Sequence, residues 1–299
     1  MANEKKSFFA RNITVATAII TACFLFITSY FIEKSQTIAN IIPTLRGEVP
    51  LENGFAITIT KKGYPILIKK DDPIVGRKLR FTGEVNSLFS EVAFLLAQTN
   101  DVIAEVGAHF GYNAVTIGKK IKGTGKYYAF EPNHTALSCL RKSVVLNNLE
   151  EVVNLKNVAI CDGKKRMTID DCLSAVKTRD GKYATFRTIS VEGDSIDEEL
   201  FAEPKPISLL LVDLPGLEFP IIRGADRTLA KSDDIKILIS FSLTESSKNC
   251  DVKSELSKLE EQGFKFYIAK NAYTYERTET SDILNLKEAV IIITKKELK

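Results

Sequence analysis

Short apolar runs recur along the chain from residue 55 to residue 294, and between them the apolar positions repeat at helical spacing. Phe55–Thr60 and Tyr64–Lys69, joined by Lys61-Lys-Gly63, read as a hairpin. Glu84–Gln98 follows as an amphipathic helix, with Val85, Leu88, Phe89, Val92, Leu95 and Leu96 on one face. Val102, Ile103, Ala104 and Val106 then make a buried strand, and Val115, Ile117 and Ile121 mark the helix after it. Tyr127–Phe130 is a second strand, and Asn133 is placed to cap a helix running to about Asn147, with His134 as a surface residue in its first turn. Val152–Asn157 is a third strand, and Ile207–Val212, apolar throughout, a fourth that is buried on both faces. A helix is expected from about Leu217 to Ala230, with Pro220 tolerated in its first turn. The fifth strand is Ile235–Phe241, the next helix Val252–Gln262 stopped by Gly263, and the last strands are Phe264–Ala269 and Ala289–Thr294.

The stretches between these elements are less regular. Val158–Ile169 reads as a hairpin turning at Asp162-Gly163, Lys177–Gly181 as a charged turn and Tyr183–Val191 as an edge strand. Asp194 or Ser195 is expected to cap a short helix ending near Phe201. Asn271–Leu284 is expected to be a polar loop whose Tyr273, Tyr275 and Arg277 border an acceptor. Strands alternating with helices predict an α/β fold around a Rossmann-like sheet.

Residues 1–32 follow a different pattern. A short basic start with Lys5, Lys6 and Arg11 precedes Ile13–Ile32, a run with no charged residue. As a helix it would span about 30 Å, the thickness of a bilayer's hydrocarbon core, so it is expected to be a single-pass transmembrane helix. A cleaved signal peptide shares the basic start, but its apolar region would be unusually long, and the small-x-small site Thr37-Ile-Ala39 lies behind Glu33 and Lys34. A buried helix of a soluble core is the third alternative. The basic flanks weakly favour a cytoplasmic N-terminus. The need of an enzyme to meet its cofactor favours a cytoplasmic domain instead, and the expectation leans that way. Residues 33–54, with Pro43, Gly47, Pro50 and Gly54, read as a linker, 55–100 as a hairpin and helix packed on the core, and 101–299 as the main domain.

The candidate chemistry gathers at the end of the first main strand. Glu105 precedes the loop Gly107-Ala108-His109-Phe110-Gly111, and Glu131 ends the second strand. Glycine lets the backbone approach a ligand closely, and the following helix aims free N–H groups at the same place. A carboxylate at the second strand's end can accept both hydroxyls of a ribose. This fits a dinucleotide or S-adenosylmethionine. The dinucleotide fingerprint is G-x-G-x-x-G, whereas this loop is spaced G-x-x-x-G, which suits S-adenosylmethionine better. The structural alternative is a tight strand-to-helix turn that binds nothing. Glu105, Gly107, Ala108, His109, Gly111 and Glu131 are thus the cofactor candidates. Asn157, at the third strand's end, would lie near the adenine, and Asp162 either touches the adenine amine or serves only its turn. Asp213 ends the fourth strand on the same sheet edge and is the candidate base, with His109 second.

The segment from Asp101 to about Thr294 resembles the FkbM-type methyltransferases, S-adenosylmethionine-dependent enzymes that mostly O-methylate sugars and natural products. Their D-V-G-A-N-x-G-Y appears as Glu105-Val-Gly-Ala-His-Phe-Gly-Tyr112 and their A-F-E-P-N as Ala129-Phe-Glu-Pro-Asn133. L-N-x-L is matched within Val145–Leu149, A-[LV]-x-D by Ala159-Ile-Cys-Asp162, and x-L-L-K-I-D-V-E-G-x-E…L-x-G-A by Leu209-Leu-Leu-Val-Asp-Leu-Pro-Gly-Leu-Glu218…Ile222-Arg-Gly-Ala225. The resemblance implies a class I methyltransferase sheet, mostly parallel with an antiparallel last strand, and an O-methyltransferase. Three positions depart from the pattern: His109 stands for its asparagine, Val212 for its lysine and Pro215 for its glutamate.

Composition narrows the remaining classes. The chain has 299 residues, enough for one large core, and a formal net charge of +3 with the charges mixed, which argues against nucleic-acid binding. Five cysteines without a C-x-x-C pair and two histidines argue against a metal site. The leading expectation is a membrane-anchored methyltransferase acting on a glycan, lipid-linked or small-molecule hydroxyl. Its rival, motivated by Val212 and Pro215, is a catalytically silent methyltransferase-like scaffold. A nicotinamide-dependent oxidoreductase fits the sheet but not the glycine spacing.

Overall fold

The computed structural model describes residues 46–298 apart from 171–174, 178–182 and 186. The expected membrane helix 13–32 and most of the charged turn 177–181 lie outside the described residues. Among the described residues no helix is long and apolar enough to cross a membrane. Glu48–Lys299 forms one compact unit.

That unit opens with the expected hairpin, β1 (Phe55–Ile59) and β2 (Pro65–Lys69), paired antiparallel. Val49–Pro50 adds a short third strand to it, and Glu48 binds Arg80 Nε at 2.7 Å. Residues 48–54, expected as linker, are therefore folded onto the hairpin. Arg80 sits on α1 (Val75–Thr82), a helix the sequence pattern did not announce, and the expected amphipathic helix is α2 (Ser87–Leu96).

The main sheet is built from β3 (Val102–Val106), β4 (Lys126–Phe130), β5 (Val153–Lys156), β6 (Leu209–Val212), β7 (Lys236–Ser242), β8 (Lys265–Asn271), β9 (Thr274–Thr278) and β10 (Glu288–Thr294). Its spatial order is β9-β8-β10-β7-β6-β3-β4-β5. Strands β5, β4, β3, β6 and β7 run parallel, and the chain's last strand, β10, is antiparallel to both neighbours. This is the expected Rossmann-like sheet with one addition. The segment Asn271–Leu284, expected as a polar loop, instead contributes edge strand β9 and a short helix Thr280–Ile283.

Alternation along the central strands divides the core into two layers. Ile103, Leu209, Leu211 and Leu238 point to a layer with the hairpin, α2, α3 (Tyr112–Ile121) and α4 (His134–Leu146). Val102, Ala104, Val106, Leu210 and Val212 point to the opposite layer, with Phe219, Leu229 and Leu256 from the helices Glu218–Arg223, Asp226–Lys231 and Val252–Glu261. Period-two alternation puts Glu105 and Asp213 on the first side, with Ile103 and Leu211. Asn133 caps α4 as expected, its Oδ1 accepting from the N–H groups of Thr135 and Ala136 at 2.9 and 3.1 Å. His134 is exposed.

Two further expectations are corrected. Ala159–Ile160 and Lys165–Asp170 do not pair with each other as a hairpin; they flank opposite edges of Thr188–Asp194, one parallel and one antiparallel. Thr188–Asp194 is thus a central strand rather than the expected edge strand, while Tyr183–Thr185 pairs separately with Ala175–Lys177. The expected helix 217–230 is broken at Gly224-Ala225 into two. Any Cβ at Gly224 would stand 2.1 Å from the Cys161 carbonyl oxygen, so the interruption sits where two segments touch backbone to backbone. Ser195, of the two candidate caps, caps the short helix Ile196–Glu199.

Candidate functional site

The strand register brings the candidate groups into one line. Val106 pairs with Phe130 and with Val212, and Val212 pairs with Ile239. One residue further on, Glu131, Gly107, Asp213 and Ser240 therefore stand side by side across β4, β3, β6 and β7. This is the carboxyl end of a parallel sheet, where open α/β folds bind ligands.

The loop after β3 is tied to β4. The N–H groups of Gly107 and Ala108 both donate to the Phe130 carbonyl, at 2.9 and 3.1 Å. The His109 N–H donates to Glu131 Oε2 at 2.8 Å, and the Asn133 N–H to Glu131 Oε1 at 2.8 Å. Asn157 holds the same corner, its Nδ2 donating to the Glu131 carbonyl at 2.9 Å and the Pro132 carbonyl at 3.1 Å. Gly107 and Gly111 adopt φ of +83° and +89°, which L side chains rarely take. Gly111 precedes α3 with no side-chain cap, so the first-turn N–H groups of that helix are left for a ligand. A Cβ on Gly111 would meet Leu140 Cδ1 at 2.2 Å. Gly111→Ala is accordingly expected to cost about 2–4 kcal/mol, from overpacking together with the strained φ. Chemical denaturation of the variant checks this, and an unchanged midpoint would contradict the packing described.

Three carboxyls face the notch. Glu105 is 5% exposed and receives Asn113 Nδ2 and the Tyr127 hydroxyl, each at 2.8 Å. Burial pushes it up to about 7, with Asp213 and Glu131 adding repulsion. Glu131 is also 5% exposed, and burial pushes it up to about 7 against the two backbone donors. Asp213 is raised by burial, opposed by donation from Asn86 and Ser240. Asn86 Nδ2 lies 2.8 Å from Asp213 Oδ1. Among the described residues no Lys or Arg donates a hydrogen bond to any of the three, and Lys78 acts on Asp213 through space. The Asn113 Oδ1 atom, beside Glu105, is buried without a hydrogen-bond donor among the described residues. The side chain of Leu214 lies over Gly107, 3.0 Å from where its Cβ would be.

His109 contributes its backbone to Glu131, but its ring keeps other company. The ring packs edge-on against Phe110, and Nε2 lies 3.7 Å from Asp72 Oδ2. Burial pushes the imidazole down to about 4 and the Asp72 carboxyl up to about 6. Both shifts favour the uncharged forms, and 3.7 Å exceeds hydrogen-bond length, so this is a contact of a neutral imidazole and not an ion pair. An imidazole that holds a proton so weakly is a poor base, which leaves Asp213 as the better candidate. Asp162 is exposed and its carboxylate is taken by Lys165 and, at 3.6 Å, by Arg223. Those two cations hold Asp162 below the ordinary carboxylate range, with the Lys165 hydrogen bond the larger cause.

Asn86, Ser240, Asn113 and Tyr127 were not singled out by the sequence. Ser240 and Tyr127 carry a signal, since each lies on a sheet strand in phase with Asp213 or Glu105. Asn86 carries none, because its partner is 127 residues away. The register also places Val212. Its side chain belongs to the opposite core layer and is fully buried there.

The family model described as "Methyltransferase FkbM domain" matches residues 105–266, more than half of the chain. No curated protein matches the sequence significantly. Among solved structures, an S-adenosylmethionine-dependent O-methyltransferase of Thermotoga maritima is similar at 15% identity and TM-score 0.43, over 81% of this chain and 78% of its own. A precorrin-6y C5,15-methyltransferase of Geobacter metallireducens is 16% identical with TM-score 0.43, over 78% of this chain and 100% of its own. An rRNA methylase of Streptococcus thermophilus is 10% identical with TM-score 0.42, over 70% and 94% respectively. Likeness at this level carries no argument about substrate. The family match does decide the class: the chain belongs to the FkbM methyltransferase family and is a transferase.

Proposed function

We propose that the chain binds S-adenosylmethionine in the notch between Glu105 and Glu131 and methylates a hydroxyl oxygen with Asp213 as base. The observation that carries this reading is the charge of the site. Two buried carboxyls, Glu105 and Glu131, and the half-buried Asp213 crowd one sheet edge, with no basic side chain among the described residues bonded to them, and each is pushed toward its neutral form. Such a cluster is suited to a cationic ligand, whose charge would restore the ionised forms. S-adenosylmethionine carries a sulfonium and an ammonium, and supplies an electrophilic methyl group when bound. The residues present fit it. Glu131 has oxygens at the ribose position, the uncapped first turn of α3 can receive a carboxylate, and the orphaned Asn113 Oδ1 beside Glu105 can accept from an ammonium.

The chain's remaining task is to align an acceptor and remove its proton. Asp213 stands next to Gly107 in the row, held by Asn86, and burial raises its pKa, which strengthens it as a base. The acceptor is a hydroxyl of a glycan, a lipid-linked intermediate or a small molecule. The uncharged run 13–32 supports a single-pass anchor that would keep the domain near lipid-linked acceptors, with the domain on the cytoplasmic side where the cofactor is made. Alkaline extraction and protease protection of vesicles test that placement, and release of the full chain by carbonate would remove it.

Calorimetric titration of the purified full chain with S-adenosylmethionine and with reduced nicotinamide dinucleotide tests the cofactor. Binding of the first and not the second is expected. The silent-scaffold alternative predicts binding but no labelled-methyl transfer to any membrane or glycan fraction.

A further inference from the structure

The family-matched segment begins at Glu105, yet a group that holds the candidate base comes from in front of it. Asn86 stands at the N-cap position of α2, where an asparagine ordinarily accepts from the N–H groups of the first turn. Here it makes no such cap. Its side chain turns away from its own helix and donates to Asp213 Oδ1 at 2.8 Å and to Ser240 Oγ at 3.3 Å. With Asp213 ionised, Nδ2 is the amide atom that meets it, because a carboxylate accepts and cannot donate. The Ser240 hydroxyl also donates to the Asp213 carboxylate. The three polar side chains thus form a closed set joining α2, β6 and β7. The other charged groups acting on Asp213 are Lys78 on α1, which favours its ionised form, and Glu105 on β3, which opposes it.

We propose that Asn86 is a positioning residue for Asp213, and that the acceptor half of the site is completed by the segment preceding the family-defining one. With one carboxylate oxygen fixed by the amide, the other is presented to the acceptor hydroxyl in a single orientation. Asn86 also keeps the carboxylate ionised in a place where burial works against it. Acceptor choice is then set partly by residues near the start of α2, outside the cofactor-binding core. This role rests on the methyltransferase reading; the pairing itself does not.

The test separates the two. Carboxyl-carbon NMR of the full chain in detergent micelles follows the titration of Asp213, assigned by its loss in Asp213→Asn, while calorimetry follows binding of S-adenosylhomocysteine. Asn86→Ala is expected to raise the Asp213 pKa by about one unit. Asn86→Asp, which replaces a donor by a like charge, should raise it further, and Asn86→Gln, which keeps the amide, should restore most of the shift. S-adenosylhomocysteine affinity should stay within about twofold in all three, since Asn86 touches none of the cofactor candidates. An Asp213 titration unmoved in Asn86→Asp and Asn86→Ala overturns the proposal, as does an equal shift in Asn86→Gln. If Asn86→Ala fails to fold, the contrast between Asn86→Asp and Asn86→Gln decides alone. Failure of the wild-type chain to bind S-adenosylhomocysteine would instead sink the cofactor reading, with the Asp213 titration still reporting on the pairing.

Discussion

Labelled-methyl transfer by Asp213→Asn is expected to fall about 10²- to 10⁴-fold, the range a positioned general base supplies. The affinity for S-adenosylmethionine should change less than about threefold. Asparagine keeps the shape of the side chain and an oxygen for Asn86 to bind, so the scaffold is retained and only the proton acceptor is lost. The loss should fall on kcat and kcat/KM together, because the interaction removed is one made in the transition state. His109 offers no substitute: burial holds its imidazole at about 4 and its ring is committed to Asp72 and Phe110. Transfer at the wild-type rate in Asp213→Asn would show that the acceptor is activated elsewhere. The assignment of the base would then fall while the cofactor site stood.

The parts of this site that could be read from sequence are those where local pattern and global position coincide. Val102–Val106 is a strand because it is apolar on both faces, and the glycines after it mark a loop with positive φ. Glu105, Glu131 and Asp213 were legible because each acid ends or interrupts an apolar run, which places it at a strand's carboxyl end. What could not be read depends on partners distant along the chain. The break at Gly224 exists because the Cys161 carbonyl presses there, and a helical pattern carries no sign of that. Ala159–Ile160 and Lys165–Asp170 have the turn chemistry of a hairpin, yet Thr188–Asp194 intervenes between them. Asn86 reads as a helix cap, and only the fold shows that it forgoes the cap for Asp213.

Binding of S-adenosylmethionine is expected to tighten as pH rises from 6 to 8, by about tenfold for each notch carboxyl that must ionise. Glu105 and Glu131 both stand at about 7 in the ligand-free protein, against an ordinary value of 4.5. Groups with such pKa values are about nine-tenths protonated at pH 6 and about nine-tenths ionised at pH 8. A cationic ligand prefers the ionised forms, so binding expels protons at neutral pH, and two carboxyls together give about a hundredfold change in Kd. The sign for the free protein is opposite. The native state keeps protons that the unfolded chain releases between pH 4.5 and about 7, so the stability these groups contribute is present below 4.5 and lost as pH rises through 7. Thermal stability without ligand should therefore decline toward pH 8, and the shift produced by saturating S-adenosylmethionine should be largest there. Calorimetry in buffers of different ionisation enthalpy counts the protons released. Glu131→Gln removes one titration and should reduce the hundredfold change to about tenfold. S-adenosylhomocysteine, which lacks the sulfonium, should show a weaker dependence than S-adenosylmethionine. A Kd that stays constant between pH 6 and pH 8 would mean that the notch carboxyls do not meet the ligand's positive charge.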